Sequence, residues 1–130
     1  MNYLAEEEIQ AINQVVVEET GGSIGVREPR LLASIAQKPK AAFDGEDLYP
    51  DIFLKAAVIY EAIVNYHVFV DGNKRTGFAA MARFLAINSY GIKVTNQEIE
   101  KFTVSIALKK QDLADIAEWI KRRAEKVATD

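Results

Sequence analysis

The chain contains no cysteine and a single histidine, His67, in 130 residues. Without cysteine there are no disulfides, thiolate metal sites or thiol nucleophiles. One histidine excludes zinc sites built from several imidazoles. Proline is scarce, at Pro29, Pro39 and Pro50. No apolar run reaches the length of a membrane-spanning helix, so no membrane contact is expected. Charge of one sign is also lacking. The 16 basic and 19 acidic side chains leave a net charge of −3, which argues against direct nucleic-acid binding through the phosphate backbone. The first residues end in Glu6, Glu7 and Glu8, unlike a signal peptide, and a cytoplasmic location is expected. Apolar residues make up 49% of the chain, enough for one domain over residues 1–130 with a real core.

Taken in order, the pattern is helical. Leu4, Ile9, Ile12 and Val16 recur at helical spacing behind an acidic first turn, which suits the positive end of the helix dipole. Gly21-Gly22 stops this helix. Residues 21–28 hold three glycines and read either as a plain connector or as a mobile flap carrying Ile24, Val26 and Arg27. Pro29 opens a short helix with Leu31, Leu32 and Ile35, and Pro39 ends it. Residues 40–49 read as a polar loop around Asp44-Gly45. Pro50 opens the next helix, where Phe53, Ala57, Tyr60, Val64 and His67 step along one face and place His67 at the end of the buried side. Residues 73–89 are apolar on several sides and read as the central, enclosed helix. Ile92-Lys93-Val94 is too short for more than a bridge. Thr95 with Glu98 forms a capping box for a helix over 97–108. Asp112 caps the last helix, with Leu113, Ile116, Ile120 and Arg123 on one face and Lys121, Arg122, Arg123 and Lys126 toward its end. The fold class is all-α, about six helices around a long central helix with a short glycine-rich flap.

The stretch from His67 to Gly77, His67-Val68-Phe69-Val70-Asp71-Gly72-Asn73-Lys74-Arg75-Thr76-Gly77, concentrates the chemistry. Gly72 permits positive φ or close approach to a ligand. If a helix begins near Asn73, its free N–H groups form an anion site. Lys74 and Arg75 add cations where the dipole is already positive, a clash of about 0.3–1 kcal/mol that a bound phosphate would relieve. Asp71 is then the acid for a Mg²⁺ bridging phosphate oxygens, and His67 can take a proton from an attacking hydroxyl. Plainer readings exist for each residue alone: a capping histidine, an Asp-Gly turn, a solvated basic pair, and core packing for Tyr66, Phe69 and Met81. The stretch is not a Walker loop, because no G-x-x-x-x-G-K is present.

His67 to Arg75 resembles the H-x-F-x-D-[AG]-N-K-R motif of Doc (death-on-curing) toxins in the Fic/Doc family. Gly25-Val26-Arg27-Glu28, the Leu31-Leu32 helix, Tyr49-Pro50-Asp51 and Phe84-Leu85-Ala86-Ile87-Asn88 extend the likeness over roughly residues 20–125. The resemblance implies an all-helical Fic fold. It implies His67 as general base, Asp71 on Mg²⁺, an anion hole at Gly72 and Asn73, Arg75 on nucleotide phosphate, and Phe69 anchoring the loop. It places a target-docking flap at residues 21–28. Against the wider pattern H-P-F-x-[DE]-G-N-G-R-x-x-R, Val68 replaces Pro, Lys74 replaces Gly and Phe78 replaces the second Arg. Those departures favour the Doc branch.

What that branch implies is a toxin using ATP and Mg²⁺ to phosphorylate a threonine of translation elongation factor Tu, with His67, Asp71, Lys74 and Arg75 as its catalytic set. Lys74 narrows the usual phosphate position and supplies a new cation, which suits a reversed nucleotide with its γ-phosphate toward His67. No stretch matches the self-inhibitory pattern [ST]-x-x-x-E-[GN], so restraint is expected from a separate Phd-like antitoxin. Two other readings stay open: a Fic-type AMP-transferase acting on a protein hydroxyl, and a non-catalytic helical binding module.

Overall fold

A computed structural model describes residues 1–127; the last three residues of the expected 1–130 domain lie outside the described residues. Six α-helices are present among the described residues: α1 (Glu6–Thr20), α2 (Pro29–Gln37), α3 (Ile52–Tyr66), α4 (Asn73–Ala86), α5 (Asn96–Ala107) and α6 (Leu113–Arg123). The all-α class holds, with two small hairpin-like pairings added. Strands β1 (Ala42–Phe43) and β2 (Glu46–Asp47) pair antiparallel, as do β3 (Tyr90–Ile92) and β4 (Ala124–Lys126).

Local signals account for most boundaries. Glu8 reaches back to the Ala5 N–H at 3.1 Å, and Gly21 closes α1 at φ 74°. Thr95 and Glu98 cap α5 reciprocally, and Asp112 with Asp115 caps α6. These bonds satisfy N–H groups that a helix start leaves without partners. α3 begins at Ile52 rather than at Pro50. The Asp51 carboxylate accepts the Phe53 and Leu54 N–H groups at 2.8 and 2.9 Å, and this cap fixes the start.

The enclosed helix is α3, not α4. It buries nine of its fifteen residues, against six of fourteen in α4, and packs on α2, α4, α5 and α6. α4 lies along it at close range. A Cβ at Gly77 would stand 2.7 Å from Val64 Cγ2 and 3.3 Å from the Tyr60 carbonyl. The glycine therefore sets how near the two backbones come. α4 stops at Ala86, short of the expected 89, and the chain turns through Ser89 at φ 69°.

Four further expectations give way to contacts that local pattern does not carry. The stretch 40–49 is a hairpin whose turn holds Asp44 and Gly45 at φ 54° and 83°, the positive-φ pair that closes a two-residue loop. Its base is fixed by Lys55, which is 2% exposed and donates to the Pro39 carbonyl at 2.8 Å and to Asp47 at 3.3 Å. The segment near Ile92 is a three-residue strand, because it meets β4 from the far end of the sequence. Lys126 accordingly sits on β4, opposite Tyr90, and not on the last helix. Tyr66 is outside the core, exposed and hydrogen-bonded to Lys38 at 2.7 Å.

The far side of α3 carries an aromatic cluster. Phe102 and Trp119 stack at 4.2 Å, Arg123 lies 4.4 Å over the Trp119 ring, and Phe78 meets Tyr60 edge-on at 5.9 Å. Arg123 also pairs with Glu98 at 2.9 Å, and that hydrogen bond holds the Glu98 carboxyl below its ordinary range. The Tyr60 hydroxyl is hydrogen-bonded to Thr103. Burial pushes its pKa up to about 12, the Thr103 bond only partly opposing the rise. A phenol whose folded pKa is raised contributes stability that is whole below its ordinary value near 10 and is lost as pH climbs through the raised one. Denaturant titrations between pH 9 and about 12 should therefore show a steeper loss of stability for the wild type than for Tyr60→Phe. The gap should be on the order of 2 kcal/mol at the alkaline end. Parallel curves for the two proteins would remove Tyr60 as the cause.

Candidate functional site

The loop between α3 and α4 is built by mutual hydrogen bonding rather than by helix propensity. α3 ends when His67 takes the left-handed conformation, φ 51° and ψ 49°. That backbone costs a non-glycine residue about 1–2 kcal/mol. It also turns the side chain off the helix, so His67 is exposed and not at the end of the buried face. Val68 and Phe69 then drop into the core at 0% and 1% exposure. The Asn73 amide clasps Phe69 from below: its Oδ1 accepts the Phe69 N–H at 3.0 Å and its Nδ2 donates to the Phe69 carbonyl at 2.9 Å.

Residues 21–28 close over the other edge of the loop. Val26 pairs with Phe69 as an antiparallel bridge. Arg27 and Glu28 donate to the Val68 carbonyl at 2.7 and 3.0 Å, and Val70 donates to the Gly25 carbonyl at 3.0 Å. The segment is thus backbone-paired with the central stretch and is not a plain connector. Its Ser23 N–H donates to Asp71 Oδ2 at 2.8 Å. Ile24 remains 55% exposed at its tip.

Gly72 is the N-cap of α4 at φ 75°. A side chain there would be strained by that φ. It would also crowd Val17 at 3.1 Å and Asn13 and Val16 at 3.4 Å, so the bare face of Gly72 meets α1. The first helical bond runs from the Thr76 N–H to the Gly72 carbonyl at 2.9 Å. The N–H groups of residues 72–75 have no hydrogen-bond partner among the described residues. No acid lies in the first turn, and neither Lys74 nor Arg75 forms an ion pair among the described residues.

These groups share one cleft of about 390 Å³, lined by His67, Asp71, Gly72, Asn73, Lys74 and Arg75, with Asn65, Val70 and Ala107 at its rim. On the far side of Lys74 and Arg75 a wider groove of about 700 Å³ runs between α4 and α5, lined by Phe78, Asn96, Ile99, Glu100, Thr103 and Val104. The structure therefore brings His67, Asp71, Gly72, Asn73, Lys74 and Arg75 to one cleft, while Phe69 is buried in the core. It alters one detail: the Asn73 side chain is committed to Phe69, so what Asn73 can offer an anion is its backbone N–H.

Asp71 is the sole carboxylate on the smaller cleft, and no group of three His, Cys, Asp or Glu side chains converges among the described residues. That donor set fits a Mg²⁺ held by one carboxylate, water and nucleotide phosphates, not a self-contained protein cage. Sequence reasoning missed Asn13, a buried amide on α1 that donates to the Asp71 carbonyl at 2.9 Å and to Thr76 at 3.0 Å. The available signal was a polar residue between Ile9 and Val17 on the inward face of an amphipathic helix.

The clasp has a direct consequence. Asn73→Ala removes both bonds to Phe69 and leaves a buried backbone pair unsatisfied, at a cost of about 1–3 kcal/mol. Asn73→Asp keeps the acceptor for the Phe69 N–H but sets a carboxylate oxygen against the Phe69 carbonyl, so it should lose stability as well. Urea denaturation with exchange of the Phe69 amide should place both variants below wild type; equal stability of wild type and Asn73→Ala would show the clasp to be idle.

Comparison with known proteins places this arrangement. The Fic/DOC family model matches residues 3–85, which take in α1, the flap, α3, the loop and most of α4. The chain is 37% identical over 86 residues to Toxin Doc of Mycolicibacterium smegmatis, covering 66% of this chain and 64% of that relative. It is 27% identical over 123 residues to Protein kinase doc of Escherichia phage P1, covering 94% of this chain and 95% of that relative. The chain thus spans a little under two thirds of the length of the first relative and nearly all of the second.

Proposed function

The chain belongs to the Fic/DOC family, and from that premise we propose that it is the toxin of a toxin–antitoxin pair, a kinase that moves the γ-phosphate of ATP to a threonine of translation elongation factor Tu and so arrests protein synthesis. The observation that carries this reading is the row of open N–H groups at residues 72–75, flanked by Lys74, Arg75, Asp71 and His67 in one cleft. A helix start with free amides and two unpaired cations is a site built for phosphate.

The residues divide the work as follows. His67 accepts the proton of the acceptor hydroxyl as its oxygen attacks the γ-phosphorus. The bond from that phosphorus to the β,γ-bridging oxygen breaks, and ADP leaves. The N–H groups of 72–75 and the Arg75 guanidinium hold phosphate oxygens. Lys74 adds a cation on the leaving-group side. Asp71 would hold Mg²⁺, which would supply neutralisation of charge on the phosphate oxygens. The two clefts meeting at Lys74 and Arg75 suit a nucleotide lying across them, with phosphates in the smaller cleft beside the open amides and the nucleoside in the wider groove beside Phe78 and Ile99. The exposed flap tip at Ile24 is available to the protein substrate. A Phd-like antitoxin is the proposed partner, and the cytoplasm, where the translation factor works, the proposed location.

AMP transfer is the competing chemistry, and Phe78 argues against it. At the position of the second arginine of the AMP-transferring pattern, this chain has a ring packed against Tyr60. ATP labelled at either the α or the γ phosphate separates the two. Wild-type protein should pass only the γ label to elongation factor Tu. His67→Ala should slow that transfer about 10²–10⁴-fold with an unchanged Tm, and Lys74→Gly should lose it. Label arriving from the α position would make the protein an AMP-transferase, and an unchanged rate in His67→Ala would remove the base.

A further inference from the structure

α1 lies outside the cleft, yet one of its side chains reaches under it. Asn13 is 1% exposed, on a helix whose other buried residues are Ile9 and Val17. Burying a primary amide is costly unless its hydrogens are used. Here both are: Nδ2 donates to the Asp71 carbonyl at 2.9 Å and to Thr76 Oγ1 at 3.0 Å. Those acceptors bracket the segment 72–75, whose N–H groups face no partner among the described residues.

We propose that Asn13 is a positioning residue that sets the direction of the anion-binding amides and the place of the Asp71 carboxylate. The peptide group is planar and trans, so its C=O and the following N–H point in opposite directions. Drawing the Asp71 carbonyl toward α1 aims the Gly72 N–H away from α1. The bond to Thr76 fixes the other end of the same turn, where the Thr76 N–H closes on the Gly72 carbonyl at 2.9 Å. Gly72, bare of side chain, lets α1 come close enough for the reach: a Cβ there would stand 3.4 Å from Asn13 Nδ2. The Asp71 carboxylate is tied separately, to the flap through the Ser23 N–H at 2.8 Å. With its backbone held by α1 and its side chain by the flap, Asp71 has little freedom left. The part of this inference that concerns metal and nucleotide rests on the function proposed above; the part that concerns the turn does not.

The test compares four variants with wild type. Asn13→Leu keeps the side-chain size and removes the donors. Thr76→Val removes the acceptor at nearly constant shape, while Thr76→Ser keeps it. Ile9→Val trims a fully buried side chain of the same helix that has no bond to the loop. Two readouts are taken: exchange of the Thr76 and Phe69 amides, and calorimetric affinity for a non-hydrolysable ATP analogue with Mg²⁺. Asn13→Leu should speed the exchange and weaken binding about 10–100-fold, the usual range for groups that orient a metal ligand. Thr76→Val should follow in the same direction and Thr76→Ser should match wild type. Ile9→Val should lower Tm with neither readout moved. Wild-type exchange in Asn13→Leu overturns the inference, as does an equal change in Ile9→Val. If Asn13→Leu fails to fold, Thr76→Val decides by the same readouts. A wild type that binds no nucleotide would defeat the proposed function, and the exchange data would then decide the positioning role alone.

Discussion

Asn73 holds Phe69 by both ends of its amide, and the shape of the cleft follows from that clasp. With Phe69 fixed and buried, Val68 and Val70 present their backbone groups outward, where residues 25–28 pair with them. The same loop contains features that oppose its formation: a histidine in the left-handed region and two cations at a positive helix end. Each costs on the order of 1 kcal/mol. They persist because the clasp, the flap and Asn13 over-determine the backbone from three directions. Strain held in this way at a cleft is a common property of functional sites.

What the strain produces is a patch of open hydrogen-bond donors. A helix start ordinarily acquires a serine, threonine or aspartate cap, and α3, α5 and α6 do so. α4 has a glycine in that place, and its asparagine turns its amide backward to Phe69. The N–H groups of 72–75 are consequently left without a partner among the described residues. In the proposed reading Lys74 and Arg75 would deepen the preference for an anion, and Asp71 would give that anion a place for its counter-ion. The rigid platform beneath is the α3–α4 pair, brought together at Gly77.

Much of this was legible in the sequence. Gly21, Thr95 with Glu98, and Asp112 mark helix ends by chemistry that works within a few residues, and the structure uses them so. The run from His67 to Arg75 identifies the cleft because its residue types are rarely combined. Three things were hidden because they depend on distant partners. β3 acquires its strand from β4, over thirty residues on. Lys55 reads as a surface residue until the Pro39 carbonyl and Asp47 are seen to receive it. Asn13 looks like a break in an apolar stripe until Asp71 and Thr76 appear beside it. The exposure of His67 was missed for a different reason: helical spacing predicts a face only while the helix lasts, and the helix ends one residue earlier.

In the proposed reading, a cleft that gathers open amides, two cations, one carboxylate and one imidazole moves a phosphate group to a hydroxyl, and the choice between phosphate and AMP turns on which end of the nucleotide lies against His67. The intact mass of elongation factor Tu after incubation with this protein, ATP and Mg²⁺ reads that choice directly. A gain of one phosphate per molecule is the expected result. A gain of one AMP, or an unchanged mass, would contradict it.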